Sequence, residues 1–458
     1  MKGSVFKRCG CTHVVDGKRR QLGRSCPKLK RPDGAWNPRH GTWYFGLDVE
    51  GVGGKKNRMI RGGFTSSTEA QNAMDAVKAK AAKGIIVNDR LTVGDYLREW
   101  INGKTDVKPK TVALYTGHID RYWEPHLGHR RLGDLRVAHV AAVFDAISER
   151  NEQVRKGRLK RTRRVRIVGA SSMQRIRATL RTALSDAVRE GLVSVNVASL
   201  VKLPSGKSPK PLVWTVEREE RWREKVAALV AEGTSYARAR DLTPAPCPVM
   251  VWRPDHLAVF LDHFADDRMY ALWRFLSHRG TRRGEACGLE WHDFNKKART
   301  ATIERQRVNV DGVIIEDTPK SEAGGRVIAL DEGTVDAFAA HRKRQIEERL
   351  AWGEAWVDSG KVFTQANGEP LNPEWVSDEF ARLIEKCDLP PIRLHDLRHG
   401  AASLMLAGGV DIKIVQETLG HATLATTANT YTSVYPDVAT AAAEATAAMV
   451  PHKPKKGA

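Results

Sequence analysis

The 458-residue sequence has no run of 18 or more apolar residues, so it offers no segment suited to crossing a bilayer as a helix. Its opening stretch, MKGSVFKRCGC, lacks the apolar middle of a secretion signal, which points to work in the cytoplasm. Cysteine is scarce: six in so long a chain cannot make a disulfide framework. Three of them, Cys9, Cys11 and Cys26, crowd the first 26 positions, which suggests a local role. Acidic residues are also short, 54 against 75 Lys and Arg, and the formal net charge of +21 calls for a polyanionic partner, most often a nucleic acid. Apolar residues make up 41%, enough to build real cores and to exclude a disordered chain. The length fits two to four domains, and no internal repeat is visible.

Hydrophobic patterning divides the chain into five parts. Residues 1–88 read as a small β-rich unit, with strands in GTWYFGLDVEG (41–51) and NRMIRGGF (57–64), a turn at Gly51 to Gly54, and a helix after the capping box of Ser66 and Glu69. Residues 89–204 read as helical, and Ile176, Leu180, Leu184 and Val188 are expected on one apolar stripe that ends at Gly191. Within this part, RKGRLKRTRRVR places eight cations among twelve residues: Arg155, Lys156, Arg158, Lys160, Arg161, Arg163, Arg164 and Arg166. Such a run suits a phosphate backbone. Residues 205–250 mix proline, glycine and charge and read as a linker with a short helix. Residues 251–445 form the largest unit, helical at both ends with a β-hairpin expected at 299–330. Residues 446–458 read as a flexible tail.

Four separated motifs in the largest unit carry chemistry. HRGTRRGEACGLEW (278–291) turns into a helix with Glu285 near its positive end. TPKSEAGGRVIAL (318–330) sets Lys320 before a glycine-bearing turn and a strand. RLHDLRHGAASLMLAGG (393–409) spaces His395 and Arg398 three apart, on one helical face. VDIKIVQETLGHATLATTANTYTSVYPD (410–437) starts a helix at Asp411, ends it at Gly420, and follows with His421 and, ten residues on, Tyr431.

In type, order and spacing these motifs resemble the tyrosine recombinases of the phage integrase family, in particular the actinobacterial type with an N-terminal arm-binding domain. The resemblance implies a mainly α fold with small β-sheets (α+β). Three domains follow: a β-rich arm-type DNA-binding domain, a helical SAM-like core-binding domain, and the catalytic domain. It implies a site-specific recombinase that cleaves and rejoins DNA through a 3′-phosphotyrosine, without ATP, to integrate or excise a mobile element. Tyr431 matches the nucleophile, and its spacing from His421 selects it over Tyr435. Arg282 and Arg398 match the arginines that clamp the phosphate oxygens; the Gly-x-Arg-x-Gly-Glu pattern selects Arg282 over Arg283. Lys320 matches the general acid, His395 the assisting base, His421 a hydrogen-bond donor to the phosphate, and Glu285 a supporting acid.

Further expectations concern partners. Catalysis needs no cofactor, since two guanidiniums and a lysine supply the charge a metal would. Cys9, Cys11, Cys26 and His40 can hold a structural zinc in the N-terminal unit, with His13 competing as a ligand. The family resemblance implies double-stranded DNA with core and arm attachment sites, a homotetramer on DNA, and a directionality or DNA-bending factor. No membrane partner is expected; the chain would work at the nucleoid of a bacterial cell. The Ala-rich segment 441–450 would pack on its own domain or dock on the next protomer. The competing reading is a DNA-binding regulator derived from an integrase and lacking strand transfer.

Overall fold

A computed structural model of the protein describes residues 2–15, 18–50, 56–82, 91–160, 166–206, 209–319, 322–431 and 436–449. The chain divides into two compact units, residues 1–207 and 208–458. Both are richer in helix than in strand, and their sheets are small. Among the described residues no helix is long and apolar enough to cross a membrane.

The first unit opens with four strands where the sequence predicts two. They are β1 (Gly3–Val15), β2 (Lys18–Gly23), β3 (Thr42–Glu50) and β4 (Lys56–Phe64), in the antiparallel order β2-β1-β3-β4. The first pair escapes a hydrophobicity reading because Lys and Arg occupy so much of it. Even the inward-facing Lys7 is buried, its ammonium held by the Asn37 carbonyl and lying 5.8 Å from the Trp43 ring centre. Helix α1 (Ser67–Ala82) covers one face through Phe45, Leu47, Met59, Met74 and Val77. Its N-terminal box closes differently from the expected one. Ser66 Oγ accepts from the Glu69 N–H at 3.0 Å, while the Glu69 carboxylate reaches back to the Thr65 N–H at 2.8 Å. The turn expected at Gly51 to Gly54 lies outside the described residues.

Helices α2 (Val93–Asn102), α3 (Pro109–His118), α4 (Glu124–Leu127), α5 (Val137–Arg155) and α6 (Ala170–Arg189) surround a second core containing Leu97, Trp123, Phe144 and Leu180. The stripe of α6 differs from the predicted one: Met173, Ile176, Leu180, Leu184 and Ala187 are buried, and Val188 is exposed. A four-residue step overshoots one 3.6-residue turn by about 40°, so three steps carry Val188 about 120° off the stripe. Asp186 on this helix is buried and accepts from Trp100 Nε1 at 2.6 Å and from Lys104 Nζ at 3.0 Å. Of the basic run, Arg155, Lys156, Arg158, Lys160 and Arg166 are exposed, while Arg161, Arg163 and Arg164 lie outside the described residues.

From residue 209 on, the segment expected to be a linker instead packs into the second unit's core. Strand β5 (Leu212–Val213), α7 (Val216–Ala231) and α8 (Tyr236–Leu242) precede β6 (Met250–Val251), and β5 pairs parallel with β6. Trp214, Trp222 and Ala239 are buried in the main core. Trp214 Nε1 donates to the Pro391 carbonyl at 3.2 Å, and Arg240 donates to the Leu389 carbonyl at 2.7 Å. Proline and charge set the composition of 205–250, but two large indoles set its place, because burying them removes far more apolar surface than any other residue there offers.

Next come α9 (Pro254–His263), α10 (Tyr270–Arg279) and α11 (Arg283–Gly288). Helix α10 is buried on nearly every side and packs against α9, α11, and two later helices, α12 (Glu332–Trp352) and α14 (Asp396–Ala407). Such all-round burial marks a central helix. The expected hairpin over 299–330 is more elaborate. Strands β7 (Phe294–Asn295), β8 (Thr300–Ile303) and β11 (Arg326–Ala329) form one antiparallel sheet, and β9 (Gln306–Val310) with β10 (Val313–Asp317) form a separate hairpin. Helix α13 (Pro373–Lys386) completes the core through Phe380, which meets Phe260 edge-on at 5.3 Å. The chain ends in α15 (Ile412–Leu419), α16 (Leu424–Tyr431) and α17 (Pro436–Ala448). Helix α17 extends beyond position 445, where a flexible tail was expected to begin, and its described side chains are exposed.

Candidate active site

The site is built where the ends of α10, α11, α14 and α15 meet. Helix α10 stops at Gly280, whose φ of +61° is the left-handed conformation glycine adopts freely. A Cβ there would lie 2.7 Å from the Leu419 side chain and 3.1 Å from Ala401 Cβ, so α14 and α15 can approach only because it is absent. The Gly280 carbonyl then accepts from Arg398 Nη1 at 2.7 Å, and the Leu419 carbonyl accepts from Nη2 at 2.6 Å. Arg398 is thus buried at 3% exposure with its guanidinium plane set by two backbone oxygens from different elements.

Arg282 caps α11. Its backbone N–H donates to Glu285 at 3.0 Å, its guanidinium pairs with the same carboxylate, and Nη2 reaches the Gly420 carbonyl at 3.3 Å. Its side chain remains about a third exposed (32%), which leaves a cationic face accessible. The neighbouring Arg283 points elsewhere: it is exposed and donates to Ser377 Oγ at 2.6 Å. Glu285 is buried beneath the pair and accepts from Arg326 Nη2 at 2.9 Å. Burial opposes its charge most strongly, yet Arg326 and Arg282 together hold its carboxyl below the usual range.

Arg326 was not singled out by its sequence context. It opens β11, donates to the Thr418 carbonyl at 2.7 Å and to the Gly324 carbonyl at 2.9 Å, and so ties the sheet to α15. Gly420, at φ +66°, lies against it: a Cβ there would sit 2.8 Å from Arg326 Nη1 and 2.8 Å from the Ala323 carbonyl. The only sequence hint is an arginine directly before the VIA strand. One more cation in so basic a chain carries no distinguishing signal.

His395 caps α14, and its ring lies edge-on to His399 at 5.5 Å. His395 keeps solvent access, yet enough protein surrounds it for desolvation to lead the causes that lower its pKa, followed by the charge of Arg398. His421 follows the Gly420 cap. Its Nδ1 is 2.9 Å from Thr427 Oγ1, and Gln416 Nε2 donates to its carbonyl at 2.9 Å. Burial first, then Arg398 and Arg282, push the His421 pKa down to about 3. Burial and the neighbouring His395 push His399 down to about 4. These couplings place both arginines and the imidazoles in one electropositive locus, although more than 130 residues separate Arg282 from His421 in the chain.

Thr427 lies in α16, one helical turn before Tyr431, so the His421 contact anchors the helix that ends at Tyr431. Lys320 and Tyr435 lie outside the described residues. In the first unit, Cys9, Cys11, Cys26 and His40 come together, their ligand atoms all within 4.8 Å of one another. His13 stands apart, exposed opposite Arg20 in the β1–β2 hairpin.

An arrangement of two anchored guanidiniums and neutral imidazoles in one locus suits a phosphodiester. Comparison with known proteins agrees. Residues 255–437 match the model of the phage integrase family. A XerC-like tyrosine recombinase of Caldanaerobacter subterraneus subsp. tengcongensis is 22% identical over 425 residues, covering 89% of this chain and 96% of that protein. An integrase of Streptomyces ambofaciens is 25% identical, covering 88% of this chain and 93% of that protein. Among solved structures, the Tn1549 transposon integrase in complex with transposon right end DNA is similar in fold. It has a TM-score of 0.53 at 19% identity, with 78% of this chain and all of that chain covered. Residues 255–437 thus form a phage integrase family domain, and over most of its length the chain is similar to tyrosine recombinases and integrases.

Proposed function

We propose that this chain integrates or excises a mobile element by exchanging DNA strands at attachment sites, with Tyr431 as the nucleophile. The observation that carries the reading is the convergence of Arg282 at the start of α11, His395 and Arg398 of α14, and His421 after α15 in one electropositive locus beside the helix that ends at Tyr431. In the proposed step the Tyr431 hydroxyl attacks the scissile phosphorus, a bond forms between the phenolic oxygen and phosphorus, and the bond to the DNA 5′-oxygen breaks. His395, held neutral by its surroundings, can take the phenolic proton. Lys320 gives a proton to the leaving 5′-oxygen. The guanidiniums of Arg282 and Arg398 stabilise the charge that builds on the non-bridging oxygens. The Thr427 hydroxyl can donate to His421 Nδ1, which places the ring proton on Nε2, where a phosphate oxygen can accept it. Glu285 and Arg326 hold Arg282 in position rather than touching DNA. The phosphotyrosine keeps the energy of the broken bond, so the attack of a 5′-hydroxyl reverses the step without ATP.

On this reading the β-rich N-terminal part and the exposed cations of 155–166 grip DNA outside the cleavage site, the N-terminal part at arm sites. The enzyme works as a homotetramer on double-stranded DNA in the bacterial cytoplasm, and the exposed α17 supplies a surface for docking between protomers. A directionality or bending factor would choose between integration and excision. Among the described residues, structural zinc has a candidate site only in the first unit.

The test uses a nicked suicide substrate bearing the attachment core, resolved on a denaturing gel. Wild type and Tyr435→Phe are expected to form a covalent protein–DNA band, and Tyr431→Phe to form none. A band lost only with Tyr435→Phe would move the nucleophile. Binding by wild type with no adduct would leave a DNA-binding regulator.

A further inference from the structure

Strand transfer makes no use of the cysteines and histidine gathered in the first unit. Cys9 and Cys11 are separated by one residue on β1, and the β1–β2 register slips between Cys9 and Thr12. Cys26 immediately precedes a single 3-10 turn, Pro27–Leu29, and His40 lies two residues before β3. His40 Nε2 is 3.5 Å from Cys11 Sγ and 3.5 Å from Cys26 Sγ. Hydrogen bonding accounts for both contacts only as one weak, shared bond, because an imidazole nitrogen offers either one lone pair or one N–H. A tetrahedral centre accounts for both directly: metal–sulfur bonds of about 2.3 Å and a metal–nitrogen bond of about 2.0–2.1 Å require a sulfur–nitrogen edge of roughly 3.5 Å.

Apart from the backbone turn that joins Leu29 and Arg31 to Ala35 and Asn37, the Lys7–Asn37 contact and the Trp36–Trp43 ring contact, the segment these residues would fasten buries little apolar surface. Between positions 24 and 41 the 3-10 turn is the one regular element, and Cys26 and Leu29 are the buried residues. The same segment carries Arg24, Lys28, Lys30, Arg31 and Arg39 against Asp33 alone, so its own charge opposes compaction. A small apolar cluster of Cys9, Cys26 and Leu29 is a weak anchor for such a loop.

We infer that Cys9, Cys11 and Cys26 as thiolates and His40 through Nε2 bind one zinc ion, which closes the 24–41 loop onto β1. Three soft sulfurs and one imidazole fill a tetrahedral zinc shell and leave no position for water, so the site is structural. Each thiol loses its proton on binding, and the resulting centre carries one negative charge amid the loop's cations.

The experiment measures metal in the full-length, untagged protein purified under reducing conditions. The expected result is about one zinc per chain, and cobalt(II) exchanged into the protein should give tetrahedral ligand-field bands with thiolate-to-metal charge transfer. Cys26→Ser and His40→Ala should lower zinc content by roughly tenfold or more, while Cys247→Ser, buried in the second unit, should keep it. Wild type without zinc and without the cobalt spectrum would overturn the inference. So would full zinc content in both Cys26→Ser and His40→Ala, or a disulfide among the three cysteines. The metal readout is independent of the covalent-adduct assay, so failure of one leaves the other standing.

Discussion

His421 has a pKa far below the ordinary imidazole value because burial removes water from its charged form and Arg398 and Arg282 repel what charge remains. His399 is depressed for the same first reason, with His395 next. Between the ordinary value of 6.5 and the lowered values of about 3 and about 4, the unfolded chain binds these protons and the native chain does not. Stability contributed by the neutral rings is therefore complete above pH about 6.5 and drains away as pH falls through that window. Thermal unfolding followed from pH 7 to pH 4 should show Tm falling in wild type, with a shallower fall in His421→Gln, which has no proton to take up. Parallel profiles would mean that His421 titrates normally in the folded protein. At this scale the sequence marks the polar residues themselves but not their supports. Arg326 belongs to the site through its contact with Glu285, far away in the chain, whereas Thr427 and Gln416 join it through turns that bring them onto nearby His421.

At the scale of elements, the site depends on two close approaches that glycine permits, at Gly280 and at Gly420. Gly420 and Gly409 both have left-handed φ, +66° and +75°. A Cβ at Gly420 would meet the Ala323 carbonyl at 2.8 Å, whereas one at Gly409 meets nothing within 4 Å. Gly409→Ala should therefore cost only the backbone strain of a left-handed alanine, about 1–2 kcal/mol. Gly420→Ala should cost more and should also disturb the Arg326 tie between β11 and α15. Urea unfolding of the two variants separates these effects, and equal midpoints would mean that the overlap at Gly420 relaxes freely. Helix ends were legible in advance, since Asp411 and Gly420 bound α15 as expected. Segment 205–250 was misjudged because composition averages over a stretch, while two buried indoles decide where it packs. Val188 was misjudged because steps of four drift off a helical face.

For the whole molecule, a net charge of +21 makes DNA affinity strongly dependent on salt. Arg158, Lys160 and Arg166 are exposed in the first unit, away from the catalytic residues in sequence. Replacing all three with alanine should weaken binding to specific and nonspecific DNA alike. The slope of log K against log salt should become shallower by about 0.9 for each DNA phosphate the variant no longer neutralises. Covalent adduct formation at saturating protein should persist, because none of the three belongs to the cleavage chemistry. An unchanged slope in fluorescence-anisotropy titrations would remove this run from the DNA interface.

The sequence by itself determined the class of the protein and the polar groups proposed for its chemistry. A reaction on a phosphodiester needs particular side chains in a fixed order, and that order is written linearly in the chain. Only the tertiary structure decided which carbonyls aim Arg398, that Arg283 turns away to Ser377, and that Arg326 locks Glu285 from below. It also decided that Trp214, Trp222 and Ala239 are core and brought the ligand atoms of Cys9, Cys11, Cys26 and His40 within 4.8 Å of one another. The physical reason is common to all of these: orientation and burial are set by contacts across the fold, and a residue's own neighbours in sequence do not specify them.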